Sequence, residues 1–265
     1  MSDALVTYEA ADGIATLTLT DPPANTYSYE MMRALDDAIL KARMDDAVHV
    51  LLLRGAGDRF FCAGADIKML ASVTARFKYY FCLHANETLL RLEQTPKLVI
   101  AALNGHCVGG GLEVALAADL RLARKGAGRI GLPEVSLGVL PGTGGTQRLV
   151  RLVGKARALE LMAGGRLFDF DEARALGIVT EVVEAEGVDA FMAEVRRRAL
   201  EYVPPGRASR AVGMIKRAVH SGAEMALAEG LALERELQQQ LFESEDAREG
   251  LAAHLARRPP SFKGR

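Results

Sequence analysis

The sequence has 265 residues, with 33 Lys and Arg against 34 Asp and Glu, a formal charge of −1, and 49% hydrophobic residues. A chain this long buries about three quarters of its unfolded surface, so it needs no disulfide or metal staple, and its composition is that of a globular protein. Balanced charge removes the long-range pull that nucleic acid or an anionic membrane would exert.

Residues 5–9 and 14–20 read as two strands joined by the hairpin signal Ala11-Asp12-Gly13. Ser28 then caps an amphipathic helix whose apolar stripe is Met31, Leu35, Ile39 and Ala42. Residues 48–53 form a continuous apolar run, as a strand buried on both faces should. A glycine-rich loop follows over 55–66, then a long helix over 77–93. Residues 98–103 form another buried strand after Pro96, Gly109 to Gly111 lead into a helix over 112–118, and 120–123 is a further strand. Repeated strand–helix units imply parallel pairing and an α/β layer structure.

Helical patterns take over after Gly142: 147–152, 156–162 and 172–176, interrupted by a strand at 178–183. Long helices are expected over 188–202, 207–220 and 223–242, and Pro204-Pro205-Gly206 is too short to be more than a turn. The basic tail, 257–265, leaves helix; its Phe and Lys could dock on something, and the plainer reading is a frayed terminus. Nothing resembles a secretory signal, no apolar run approaches the ~18 residues of a spanning helix, and Cys62, Cys82 and Cys107 lack Cys-x-x-Cys spacing. A reducing, cytoplasmic location is expected.

Several machines are excluded by their missing motifs. There is no P-loop and no Gly-x-Ser-x-Gly elbow. The histidines at 49, 84, 106, 220 and 254 make no zinc helix, and Gly142 to Gln147 only half matches a dinucleotide loop. What remains is two glycine-rich loops that each follow a buried strand. One is Phe60-Phe61-Cys62-Ala63-Gly64-Ala65-Asp66-Ile67-Lys68, whose small residues let a ligand approach the backbone. The other is Asn104-Gly105 through Gly109-Gly110-Gly111-Leu112-Glu113, which exposes amides at a helix start. Amides from both can converge on one developing oxyanion.

Glu113 follows Gly110 by about one helical turn, and Glu134 lies in the apolar phrase Gly131-Leu132-Pro133-Glu134-Val135. Two carboxyls sharing a dry pocket would divide the roles of acid and base. The residues alone leave plainer roles open: cap support for Glu113 and a solvated loop position for Glu134.

At these motifs the chain resembles the enoyl-CoA hydratase/isomerase (crotonase) superfamily. The phrases are Pro22-Pro23-Ala24-Asn25, Ala63 to Lys68, Asn104 to Glu113, and Pro133-Glu134 through Leu140-Pro141-Gly142-Thr143-Gly144-Gly145-Thr146-Gln147-Arg148-Leu149. The resemblance implies an α/β spiral of ββα units in residues 1–200, and a helical oligomerisation region in 201–265 that builds a homotrimer or a dimer of trimers. It implies an acyl-CoA thioester substrate, with CoA as part of the substrate, no separate cofactor and no metal. The amides of Ala65 and Gly110 match the oxyanion hole. Glu134 matches the proton donor to the α-carbon, and Glu113 the carboxylate that activates water. Gly142 matches the amide that seats that water. Ala24, Ala63, Asp66, Ile67 and Lys68 match the strip along which CoA lies, and Phe262-Lys263 a tail reaching a neighbour's CoA.

Hydration of 2-enoyl-CoA is the expected reaction. The alternatives are an isomerase or another acyl-CoA reaction of the same family that uses Glu134, such as a ring hydrolase or an aryl-acyl hydratase-lyase. A different class, RNA binding through Arg196, Arg197, Arg198, Arg207, Arg210, Lys216 and Arg217, is disfavoured by the net charge, so no nucleic acid or membrane partner is expected. The chain departs from many relatives at Thr26-Tyr27. Phe77, Tyr79, Tyr80 and Phe81 either shape the acyl channel or pack core and subunit contacts.

Overall fold

A computed structural model describes residues 4–265. The chain opens with strands β1 (Val6–Ala11) and β2 (Ile14–Leu19) and helix α1 (Tyr29–Met44). Three strand pairs follow. The first is β3 (Val50–Gly55) and β4 (Phe60–Cys62), trailed by helices α2 (Ile67–Ser72) and α3 (Ala75–Glu93). The second is β5 (Leu98–Leu103) and β6 (His106–Val108), trailed by α4 (Gly110–Leu116). The third is β7 (Leu120–Arg124) and β8 (Ile130–Gly131), trailed by a 3-10 turn (Glu134–Leu137), then α5 (Gly145–Val153), α6 (Lys155–Gly164) and α7 (Phe170–Ala175). Strand β9 (Glu181–Val183) precedes α8 (Gly187–Leu200), α9 (Ser209–Gly222), α10 (Leu227–Phe242) and α11 (Glu245–Leu255).

Each pair gives its first strand to a six-stranded sheet, ordered β1-β2-β3-β5-β7-β9, and its second to a three-stranded sheet, β4-β6-β8. Among the strand pairs of the described residues, β1–β2 alone is antiparallel. This alternation between two sheets is the expected spiral of ββα turns.

The register follows from burial. Strand β5 is buried along its whole length, and with a side-chain period of two its residues divide between two cores. Val99, Ala101 and Leu103 join the larger core with α1, α3 and α4, while Leu98, Ile100 and Ala102 join the smaller one under α8. Ser28 caps α1 by accepting from the Met31 amide at 3.2 Å, and Met31, Leu35, Ile39 and Ala42 are buried as their spacing requires. Asn104, wholly buried, donates to Gly57 O at 2.9 Å and accepts from Gly55 N at 3.0 Å, fastening the β3–β4 crossover.

Some expectations are corrected. The loop expected over 55–66 contains β4, and β6 and β8 were not expected at all; strands of two or three residues carry no period and exist only because they pair with one another. Helix α11 was also missed. The tail is not frayed: the amides of Lys263 and Gly264 donate to the two oxygens of buried Asp246 at 2.7 and 2.8 Å, and Phe262 N donates to Pro205 O at 3.0 Å. Arg196, Arg197 and Arg198 are occupied by Asp12, Glu181, Glu194 and Glu201, so they present no free basic stripe. No helix among the described residues is long and apolar enough to cross a membrane.

Candidate active site

The two glycine-rich loops meet at the carboxyl ends of β4 and β6. Tyr27 and Ala65 bridge the first loop to the strand-like segment before α1: Tyr27 N donates to Gly64 O at 3.0 Å and Asp66 N to Tyr27 O at 3.2 Å. The backbone of Gly64 approaches that of Gly110 so closely that a Cβ on Gly64 would lie 3.0 Å from Gly110 N. Between these contacts the amides of Ala65 and Gly110 stay unengaged; neither donates a hydrogen bond among the described residues. Both residues line a cavity of about 520 Å³ together with Glu113 and Glu134.

Gly110 is glycine because of Tyr27. A Cβ there would fall 2.2 Å from Tyr27 Cε1 and 2.4 Å from its hydroxyl. Gly109, at φ +57°, sits against the other carboxyl: a Cβ would lie 3.1 Å from Glu134 Oε1. The second loop thus packs bare backbone against a phenol at Gly110 and a carboxyl at Gly109.

Glu113 is 2% exposed and rigidly held. Its Oε1 accepts from the amides of Thr143 and Gly145, both at 2.8 Å, and its Oε2 accepts from the Thr143 hydroxyl. That hydroxyl has one proton to give, so the Tyr27 phenol, 3.1 Å away, is the donor to Thr143 Oγ1. Burial and the nearby Glu113 hold the Tyr27 phenol protonated, which suits it to that role. Phe81, buried and edge-on to Tyr27 at 5.7 Å, backs the ring.

Glu134 is the opposite case. It opens the 3-10 turn after Pro133, half-buried, and its Oε2 is buried without a hydrogen-bond partner. Burial, with a further contribution from Glu113, pushes its carboxyl up to about 7. One carboxylate is therefore pinned by three donors, and the other is left to exchange a proton near neutral pH.

Of the residues expected at the site, Ala65, Gly110, Glu113, Glu134, Ala63, Ile67 and Gly142 line the cavity. Ala24, Asp66, Lys68, Phe262 and Lys263 do not. Ala24 O instead accepts from Ala63 N at 3.0 Å, and Asp66 caps α2 by accepting from Lys68 N at 2.8 Å. The aromatics of α3 stay out of the cavity wall: Phe81 is core and Tyr79 and Tyr80 are exposed. Thr143 and Lys78 were missed, and Tyr27 was marked only as a departure; a lone hydroxyl inside a glycine loop was the available signal for Thr143. His106 and Cys107 form no nucleophile pair, since Cys107 is buried and burial pushes its thiol well up. No cluster of three or more His, Cys, Asp or Glu positioned for a metal occurs among the described residues.

Known proteins share this arrangement of the chain. The enoyl-CoA hydratase/isomerase family model matches residues 9–265. A short-chain-enoyl-CoA hydratase from Clostridium acetobutylicum is 34% identical over 262 residues, 98% of either chain. Human mitochondrial methylglutaconyl-CoA hydratase is 36% identical over 242 residues, 91% of this chain and 70% of the relative. The crystal structure of an enoyl-CoA hydratase from Geobacillus kaustophilus HTA426 matches the fold with a TM-score of 0.95 at 43% identity, covering 100% of this chain and 98% of that one.

Proposed function

This chain belongs to the enoyl-CoA hydratase/isomerase family, and from that premise we propose that it adds water across the 2,3 double bond of 2-enoyl-CoA thioesters to give 3-hydroxyacyl-CoA. One observation carries the reading: two glutamates of opposite character face one cavity with two unengaged amides. The thioester oxygen accepts from the amides of Ala65 and Gly110. As negative charge gathers on that oxygen, these fixed donors lower the barrier, each by about 3 kcal/mol. Glu113 takes a proton from water as its oxygen attacks the β-carbon, and Glu134 delivers one to the α-carbon. Proton exchange between the carboxyls and solvent then restores the pair. Gly142, in the cavity wall, supplies the amide that seats the water.

The CoA moiety runs outward past Ala63 and Ile67 along the strip that includes Ala24, Asp66 and Lys68. It is part of the substrate, and the reaction needs no further cofactor. The chain assembles as a homotrimer, or a dimer of trimers, through the C-terminal helices; Ile215, Val219 and Leu227 leave an apolar face there at 61, 63 and 78% exposure. Phe262 and Lys263 reach a neighbour's CoA from that region.

Glu113→Gln and Glu134→Gln are each expected to lower hydration by about 10²-fold or more. Near-full hydration by either variant would remove that residue's role. Retained shift of a 3-enoyl double bond by Glu113→Gln, with hydration absent from the parent protein, would favour isomerisation.

A further inference from the structure

The cavity holds a charged side chain for which the hydration chemistry has no use. Lys78 lies in the first turns of α3, half-buried, and no other Lys, Arg or His lines the cavity. Its ammonium stands 5.2 Å from the centre of the Phe81 ring, and that ring is itself immobilised, fully buried and edge-on to Tyr27. The cation is therefore propped on a fixed aromatic platform. Among the described residues it has no carboxylate partner within 4 Å, whereas Arg91 and Arg148 pair with Asp36 and Glu93 at 2.6 and 2.9 Å. Much of the cavity wall is apolar, with Val73, Ala75, Leu137, Val139 and Leu140 among its lining.

An ammonium in a largely apolar wall, with no ion pair inside 4 Å, is complemented by an anionic group on the ligand. An acyl-CoA thioester offers two kinds: the phosphates of CoA, or a carboxylate at the far end of the acyl chain. The location favours the second. Lys78 shares the cavity wall with Glu134 and Leu137, and its Phe81 platform stands edge-on to the Tyr27 ring that presses on Gly110, so it sits toward the reacting end of the cavity. The phosphates lie beyond the pantetheine arm, on the side of Ile67 and Lys68. We propose that Lys78 is a carboxylate-recognising subsite, and that the substrates of this protein include short dicarboxylic acyl thioesters whose second carboxylate pairs with its ammonium. This rests on the reading of the cavity as an acyl-thioester site.

The test compares two saturated, unreactive thioesters of equal carbon number, glutaryl-CoA and pentanoyl-CoA, titrated calorimetrically into the assembled protein. A charge-assisted pair corresponds to a preference of about 30-fold for glutaryl-CoA. Lys78→Met should bring the ratio of the two affinities close to one, and Lys78→Arg should keep most of it. Lys78→Gln provides a second neutral variant should the Met side chain close over the cavity. Three results overturn the subsite: no preference for glutaryl-CoA in the parent protein, a preference that survives in both neutral variants, or an equal loss for both thioesters with the ratio intact, which assigns Lys78 to the CoA phosphates. If the parent protein binds neither thioester, the acyl-thioester reading fails and takes the subsite with it, an outcome distinct from a failed ratio.

Discussion

Replacing Glu134 with Gln should make the protein more stable and less active, with the gain in stability growing from about pH 4.5 to its full size above about pH 7. A carboxyl whose ordinary value is near 4.5 is held at about 7 by burial. At 1.36 kcal/mol per pH unit, keeping it ionised in the cavity costs the folded state about 3 kcal/mol. The sign follows from proton uptake: between 4.5 and about 7 the folded protein holds a proton that the unfolded chain has lost, so stability falls as pH rises through that window. The full penalty is present at pH 8, about 1 kcal/mol remains at pH 5, and almost none at pH 4. Gln keeps the shape and never ionises, so Glu134→Gln removes the penalty where it exists. Thermal melts at fixed protein concentration should place the variant about 6–10 °C above the parent at pH 8 and close to it at pH 4. A gain of the same size at both pH values, or a loss at pH 8, would refute the desolvated-carboxyl reading of Glu134.

Three further perturbations probe the same framework. Gly110→Ala drives a Cβ to 2.2 Å from the Tyr27 ring, so it should lose about 2–3 kcal/mol in urea unfolding and most hydration activity; parent-like behaviour would mean that the Tyr27 contact yields freely. Thr143→Val deprives Glu113 and Tyr27 of a buried partner, a loss of about 2 kcal/mol accompanied by a fall in kcat, whereas Thr143→Ser should retain both. Asp119→Ala strands the buried ammonium of Lys216, now 2.8 Å from Asp119, and should destabilise by about 3–5 kcal/mol in denaturant titration; an unchanged midpoint would show that the pair does not dock α9 onto the sheet.

The long elements were legible because burial imposes a period on them. The stripe from Met31 to Ala42 and the unbroken apolar run of β5 each admit one reading, and both stand in the structure. Strands β4, β6 and β8 had no such signal, since their identity lies in partners 20 to 50 residues away. At the site, the glycine loops and both glutamates were visible as motifs. The opposite characters of the two carboxyls were not, because they depend on which donors arrive from elsewhere in the chain. Thr143 and Gly145 come from beyond the 3-10 turn to pin Glu113, while nothing reaches Glu134 Oε2. Tyr27 was conspicuous only as an unusual residue after Asn25; its contact with Gly110 and its bond to Thr143 require the spiral to have closed. Lys78 looked like any helix-surface lysine until α3 was laid beside the cavity. The tail misled for a similar reason: the buried carboxylate that fastens it, Asp246, carries no local sign of that duty.

The most direct measurement is to mix the purified protein with crotonyl-CoA and follow the absorbance of its conjugated thioester. Hydration removes that band as 3-hydroxybutyryl-CoA accumulates, and the rate should collapse in Glu113→Gln and Glu134→Gln. A band that persists while crotonyl-CoA is bound would contradict hydration and assign the two amides and the two glutamates to another acyl-thioester reaction.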